Sequence, residues 1–188
     1  MSRLRSRCVA NREAGFTLVE LLLAIVVMGM IMAPLTAGVI VGLRTTADAN
    51  NRLAGSNDAQ LLSIWLPPDV HSAGNQAGDV VAAPTANTEC SGVTNLLRLR
   101  WRETQSSTTT FIAAYAVQSN SGTWRLVRYS CVHAGAATTH VIARNIAGSS
   151  AATVAVTGTR VELTVQTAGT ATDPSGYTFK ISGNRRTP

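Results

Sequence analysis

The chain is short of the groups that do chemistry. It has three histidines (His71, His133 and His140), three cysteines and a single lysine, Lys180. Aromatic residues make up 5% and charged residues 14% of its 188 positions. No histidine stands in a recognisable motif with an acid or a nucleophile. There is no G-x-S-x-G, no H-E-x-x-H and no phosphate loop. The acids Asp69, Glu89, Asp79, Glu103, Glu162 and Asp173 are scattered. No catalytic set and no cofactor site is therefore expected, and an anchored enzyme is the competing class. A zinc set can be drawn from Cys90, Cys131, His133 and His140, but no C-x-x-C spacing supports it, so no metal site is expected.

Charge is missing most sharply from residues 14–43, where Glu20 is the one ionisable side chain. The apolar run from Phe16 to Leu43 is long enough to span a hydrocarbon core of roughly 30 Å with some tilt. Before it lie Arg3, Arg5, Arg7 and Arg12 against one acid, Glu13. Basic residues on one flank place that flank in the cytoplasm and the remainder of the chain outside it. The net charge is +6; without residues 1–15 it falls to 12 basic against 9 acidic side chains, or +3. A secretory signal would carry its small-residue cleavage site after the apolar run. Here the small residue, Gly15, comes before it. Glu20 also needs a reason, because an acid at the bilayer centre costs about 2.5–3.5 kcal/mol, less near an interface.

These residues carry a family resemblance. Arg12-Glu13-Ala14-Gly15-Phe16-Thr17-Leu18-Val19-Glu20-Leu21 resembles the processing motif of type IV prepilins and pseudopilins. The resemblance implies that prepilin peptidase cuts between Gly15 and Phe16 on the cytoplasmic side, and that the new terminal phenylalanine is N-methylated. It implies that Glu20 sets subunit register by pairing with the terminal amine of a neighbouring subunit. Each charge is costly alone in lipid, and pairing offsets both. The partners implied are the peptidase, the cytoplasmic membrane and other pilins or pseudopilins through helix–helix packing. The destination implied is a pilus or pseudopilus at the cell surface.

Cys8 falls in the leader, leaving Cys90 and Cys131 as an even pair outside the cytoplasm. That favours a disulfide over two free thiols. Closing a loop of about 40 residues contributes roughly 4 kcal/mol in the chain-entropy account.

Four segments are expected: a leader (1–15), a membrane and fibre-core helix half (16–43), an amphipathic continuation (44–66) and a globular head (67–188). Residues 44–66 hold no proline, and Leu53, Leu61, Ile64 and Trp65 share a helical spacing, so that face is expected against the head. Pro67-Pro68 should end the helix. Pro34 should kink or loosen the membrane half. Residues 67–92 read as a connection with a short strand near 79–83.

From Val93 the period changes to two. Leu97, Leu99 and Trp101 alternate with Arg98, Arg100 and Arg102. Ser119-Asn120-Ser121-Gly122 reads as a hairpin turn. Later runs at 140–146, 154–156, 161–165 and 177–181 complete five to seven strands of an antiparallel meander. One face is expected under the helix and the other in solvent. The fold class is thus α+β and pilin-like: a long N-terminal helix on an antiparallel sheet. The arginine row puts three guanidiniums on one strand face, with Arg125 and Arg128 near. An ordinary solvated face is the plain reading; DNA capture through phosphates is the alternative.

Overall fold

The structure is a computed structural model describing residues 16–82, 89–104, 107–133, 135–169, 174 and 176–186. Gly15 and Cys8 lie outside the described residues. The chain divides into two units, residues 1–45 and 46–188. One helix, α1 (Leu18–Ser72), contributes to both.

In the first unit every described residue is exposed. An 18-residue window of α1 has a mean hydropathy of 2.5, so this helix is long and apolar enough to cross a membrane. It stays helical through Pro34.

Among the described residues, the second unit holds eight strands in two antiparallel sheets. The first sheet is β1 (Val80–Val81), β2 (Leu97–Arg102), β3 (Thr110–Asn120), β4 (Thr123–Val132) and β5 (Thr138–Ile146), paired in chain order. The second is β6 (Ala152–Thr157), β7 (Arg160–Gln166) and β8 (Thr178–Asn184), also in chain order. A bridge between Ile146 and Thr167 and the hydrogen bond from Ala147 N to Gln166 O, 3.0 Å, link the two sheets. One sheet was expected; the chain makes two because β5 ends at this junction and a new meander begins.

The hairpin turn between β3 and β4 is as tight as the sequence suggests. Ser121 and Gly122 both have positive φ, 52° and 84°, as a two-residue type I′ turn requires. The turn sets the register in which Tyr115 faces Arg128 and Ala114 faces Tyr129.

Alternation then sorts the first sheet into two faces. Leu97, Leu99, Ala113, Tyr115, Leu126 and Ile142 join Leu62, Leu66 and Val70 of α1 in the main core. Val161, Leu163, Val165 and Phe179 of the second sheet close it. Gly183 of β8 lies so near α1 that an added Cβ would stand 2.8 Å from Val70 Cβ and 3.0 Å from Pro67 Cα.

Three expectations change. The head-facing stripe of α1 is Leu62, Leu66 and Val70, with Ala59 and Trp65 beside it; Leu53 and Ile64 are 64% and 60% exposed. The face is set instead by residues the apolar spacing did not take in, Asp58 and Asp69 among them. Both are buried. The helix also runs through Pro67-Pro68 to Ser72. Two missing N–H donors weaken that turn, but Asp69 and Val70 are anchored in the head and hold it helical. Finally, the far face of the first sheet is not simply solvated. Ala114, Ala116, Val127 and Tyr129 are buried there against Cys90, Val93 and Val141.

Candidate functional site

At the foot of α1, Thr17 caps the helix. Its carbonyl accepts from Glu20 N at 3.0 Å and from Leu21 N at 3.2 Å, and its Oγ1 accepts from Glu20 N at 3.3 Å. Thr17-x-x-Glu20 is also the spacing of a capping box. Glu20 is the acid in the first turn, where the helix dipole favours negative charge. Phe16 precedes the cap and is 83% exposed. Glu20 thus has a local role in starting the helix, besides any role toward another chain. Among the described residues, no ion pair to Glu20 appears within the chain.

Each arginine of the row on β2 is engaged from the same side. Arg98 is buried, ion-paired with Glu89, and donates from Nη2 to Gly78 O at 2.5 Å. Arg100 Nε donates to Asp79 Oδ1 at 3.1 Å. Arg102 Nη1 donates to Gln76 Oε1 at 3.1 Å. Asp79 in turn closes the 74–79 turn by accepting from Gln76 N at 2.9 Å. Two of the three guanidiniums therefore neutralise carboxylates of the connection instead of presenting open charge. Arg128 lies on the opposite face of its sheet, toward α1.

Cys90 and Cys131 are disulfide-bonded, with Cα atoms 5.8 Å apart and a sequence separation of 41. The bond ties the connection to the far face of β4. His140 lies elsewhere, stacked on Trp65 with ring centroids 5.0 Å apart.

Sequence reasoning missed a polar joint between α1 and the first sheet. Arg128 grips Asp69 with two donors, and the Tyr115 hydroxyl donates to Asp69 Oδ2 at 2.7 Å. The Arg128 guanidinium also lies 4.4 Å from the centre of the Trp65 ring. Burial and the Asp69 charge hold the Tyr115 hydroxyl well above its ordinary pKa. Burial alone would lower the pKa of Arg128, but the hydrogen bond and charge of Asp69 outweigh it and raise the value. Three helical turns before Asp69, Asp58 Oδ2 accepts from Arg144 N at 2.9 Å, beside the register shift of β5. The available signal was the spacing of Asp58 and Asp69, three helical turns apart and interleaved with Leu62 and Leu66.

No curated protein and no solved structure matches the chain. Residues 10–36 match the prokaryotic N-terminal methylation motif. That stretch takes in Gly15, the exposed Phe16, the capping Thr17, Glu20 and the apolar first part of α1. It is the type IV prepilin-type signature, and it marks this chain as a pilin-like substrate for prepilin cleavage.

Proposed function

We propose that the protein is a structural subunit, a minor pilin or pseudopilin, of a type IV pilus or a related secretion or DNA-uptake filament. The observation that carries this reading is the motif placed on the helix: Gly15-Phe16 just before the cap, Glu20 in the first turn, and an exposed apolar run beyond. The chain is inserted with its N-terminus in the cytoplasm and its head outside. Prepilin peptidase cuts after Gly15, and the new amine of Phe16 is methylated. Residues 16–43 then leave the bilayer for the fibre by packing on neighbouring helices, and Glu20 meets a neighbour's terminal amine in a medium where neither charge is stable alone.

Two features support assembly over catalysis. The uncovered side of α1 in the head unit carries Leu53, Leu61 and Ile64 within one arc of the helix, an apolar surface suited to another helix. Glu89, Asp79, Arg98 and Arg100 are used in ion pairs, and Asp58, Asp69 and Arg128 in the joint between α1 and the sheet. DNA capture by Arg98, Arg100 and Arg102 is the weaker reading, because Glu89 and Asp79 offset two of those charges.

The test is the intact mass and N-terminus of the protein from membranes of cells with and without prepilin peptidase. A start at Phe16, heavier by one methylene and dependent on the peptidase, is expected. Gly15→Val should leave the start at Met1. A start at Met1 in both strains would return the protein to the class of anchored domains of unrelated function.

A further inference from the structure

The far face of the first sheet is where the disulfide acts. Ala114 and Ala116 of β3 are fully buried, and Val127 and Tyr129 of β4 are nearly so, though α1 lies on the other side. What covers this patch includes Cys90 and Val93 of the segment 89–96, which leads into β2. The segment is internally tied. Ser91 Oγ lies 2.6 Å from Asn95 Oδ1 and accepts from Val93 N at 3.2 Å, and Asn95 Nδ2 donates to Glu89 O at 3.1 Å. Those bonds stay inside the segment, whose two ends are also tied to the sheet by the Glu89–Arg98 ion pair and by the bond from Leu96 N to Tyr115 O, 2.8 Å. Cys90 itself has φ 72°, a left-handed conformation unfavourable for a residue with a side chain.

We infer that Cys90–Cys131 is a redox latch on an apolar surface. Closed, it holds Cys90 and Val93 over the patch of Ala114, Ala116, Val127 and Tyr129; opened, the stretch between the Glu89–Arg98 ion pair and the anchored Leu96 lifts and exposes the patch. The chemical partner is a dithiol reductant. Cys131 is 6% exposed and Cys90 more open, so a thiolate of the dithiol attacks Cys90 Sγ and the bond to Cys131 Sγ breaks. Cys131 leaves as a thiolate and takes a proton. The second thiol of the reductant then displaces Cys90 and completes a disulfide in the reductant. Two electrons and two protons have passed to the protein, leaving two thiols. The main core need not open, because its side chains lie on the other face of β3 and β4. This inference is independent of the filament reading.

Tyr115 and Tyr129 make an internal pair of reporters. Tyr115 is 0% exposed in the main core, and Tyr129 is 7% exposed under the latch. The full chain in detergent micelles is footprinted with hydroxyl radicals, with and without dithiothreitol, and both tyrosines are read by mass spectrometry. Alkylation confirms that both thiols are free. A several-fold rise at Tyr129 with Tyr115 unchanged is the expected result. The double variant Cys90→Ser, Cys131→Ser should give the same pattern without reductant. No change at Tyr129 in the reduced protein overturns the latch. Equal rises at both tyrosines overturn it too, since the disulfide would then be a staple for the whole head.

Discussion

Asp69 meets Arg128 through both carboxylate oxygens, Oδ2 with Nε at 2.7 Å and Oδ1 with Nη2 at 2.8 Å. The two residues come from the last turns of α1 and from the middle of β4, and each is less than a tenth exposed. Bidentate geometry, the Tyr115 hydroxyl and the Trp65 ring together replace the water that both charges have lost. A buried pair adds little over well-packed apolar groups, but a buried charge left alone is strongly unfavourable.

Removing one partner should therefore cost more than the pair is worth. Asp69→Ala or Arg128→Ala is expected to lower stability by about 3–5 kcal/mol, and the double variant by much less than the sum. Tyr115→Phe, which removes one donor and no charge, should cost about 1 kcal/mol. Urea unfolding of the chain in detergent, analysed as a double-mutant cycle, measures the coupling. Additive losses would mean that the two side chains act separately.

Asp58 behaves differently, because it accepts from a backbone N–H, that of Arg144. Burial raises its pKa, and the bond from Arg144 N and the Arg144 charge only partly oppose that. The folded state thus holds the Asp58 proton more tightly than the unfolded one. The stability this contributes is complete below the ordinary value of 3.8 and is lost as pH rises through the folded value. Asp58→Asn keeps an acceptor for Arg144 N and carries no charge. It should unfold at higher temperature than wild type at pH 7, and the difference should shrink toward zero as pH falls below about 4. A pH series of melting temperatures for the two proteins decides it. A variant less stable at pH 7 would mean that the Asp58 charge itself supports the fold.

Gly183 is the point of closest approach between β8 and α1. A methyl there meets Val70 Cβ and the backbone of Pro67, neither of which can rotate away. Gly183→Ala should destabilise by about 1–3 kcal/mol through overpacking. Val70→Ala added to it should recover part of the loss, although Val70→Ala alone is destabilising. Thermal melts of the three variants show whether the contact is as tight as the geometry indicates.

The N-terminal methylation motif was legible from the residues. Gly15, Phe16 and Glu20 stand in one continuous stretch, and an uncharged run of that length has few places to go but a membrane. Strand periodicity and the Ser121-Gly122 turn were legible for a similar reason, since alternation and positive φ are local properties. The Cys90–Cys131 bond was favoured from the sequence because residues 16–188 hold two cysteines, which allow one pairing if they are oxidised.

What the linear pattern misplaced depends on neighbours distant in the chain. Leu53, Leu61, Ile64 and Trp65 looked like the buried side of α1 because they are apolar at helical spacing, and of these Trp65 does pack against the core. The buried side instead carries Asp58 and Asp69, made tolerable by Arg144 N and Arg128, which lie 86 and 59 positions away. The arginine row was visible, but not the Glu89 and Asp79 that meet it across folds of the connection. Local composition settles helix, strand, turn and membrane run, since those follow from a residue and its near neighbours. Which face of an element is inside follows from whether each buried polar group finds a partner, and partners are supplied only when the chain has folded back on itself.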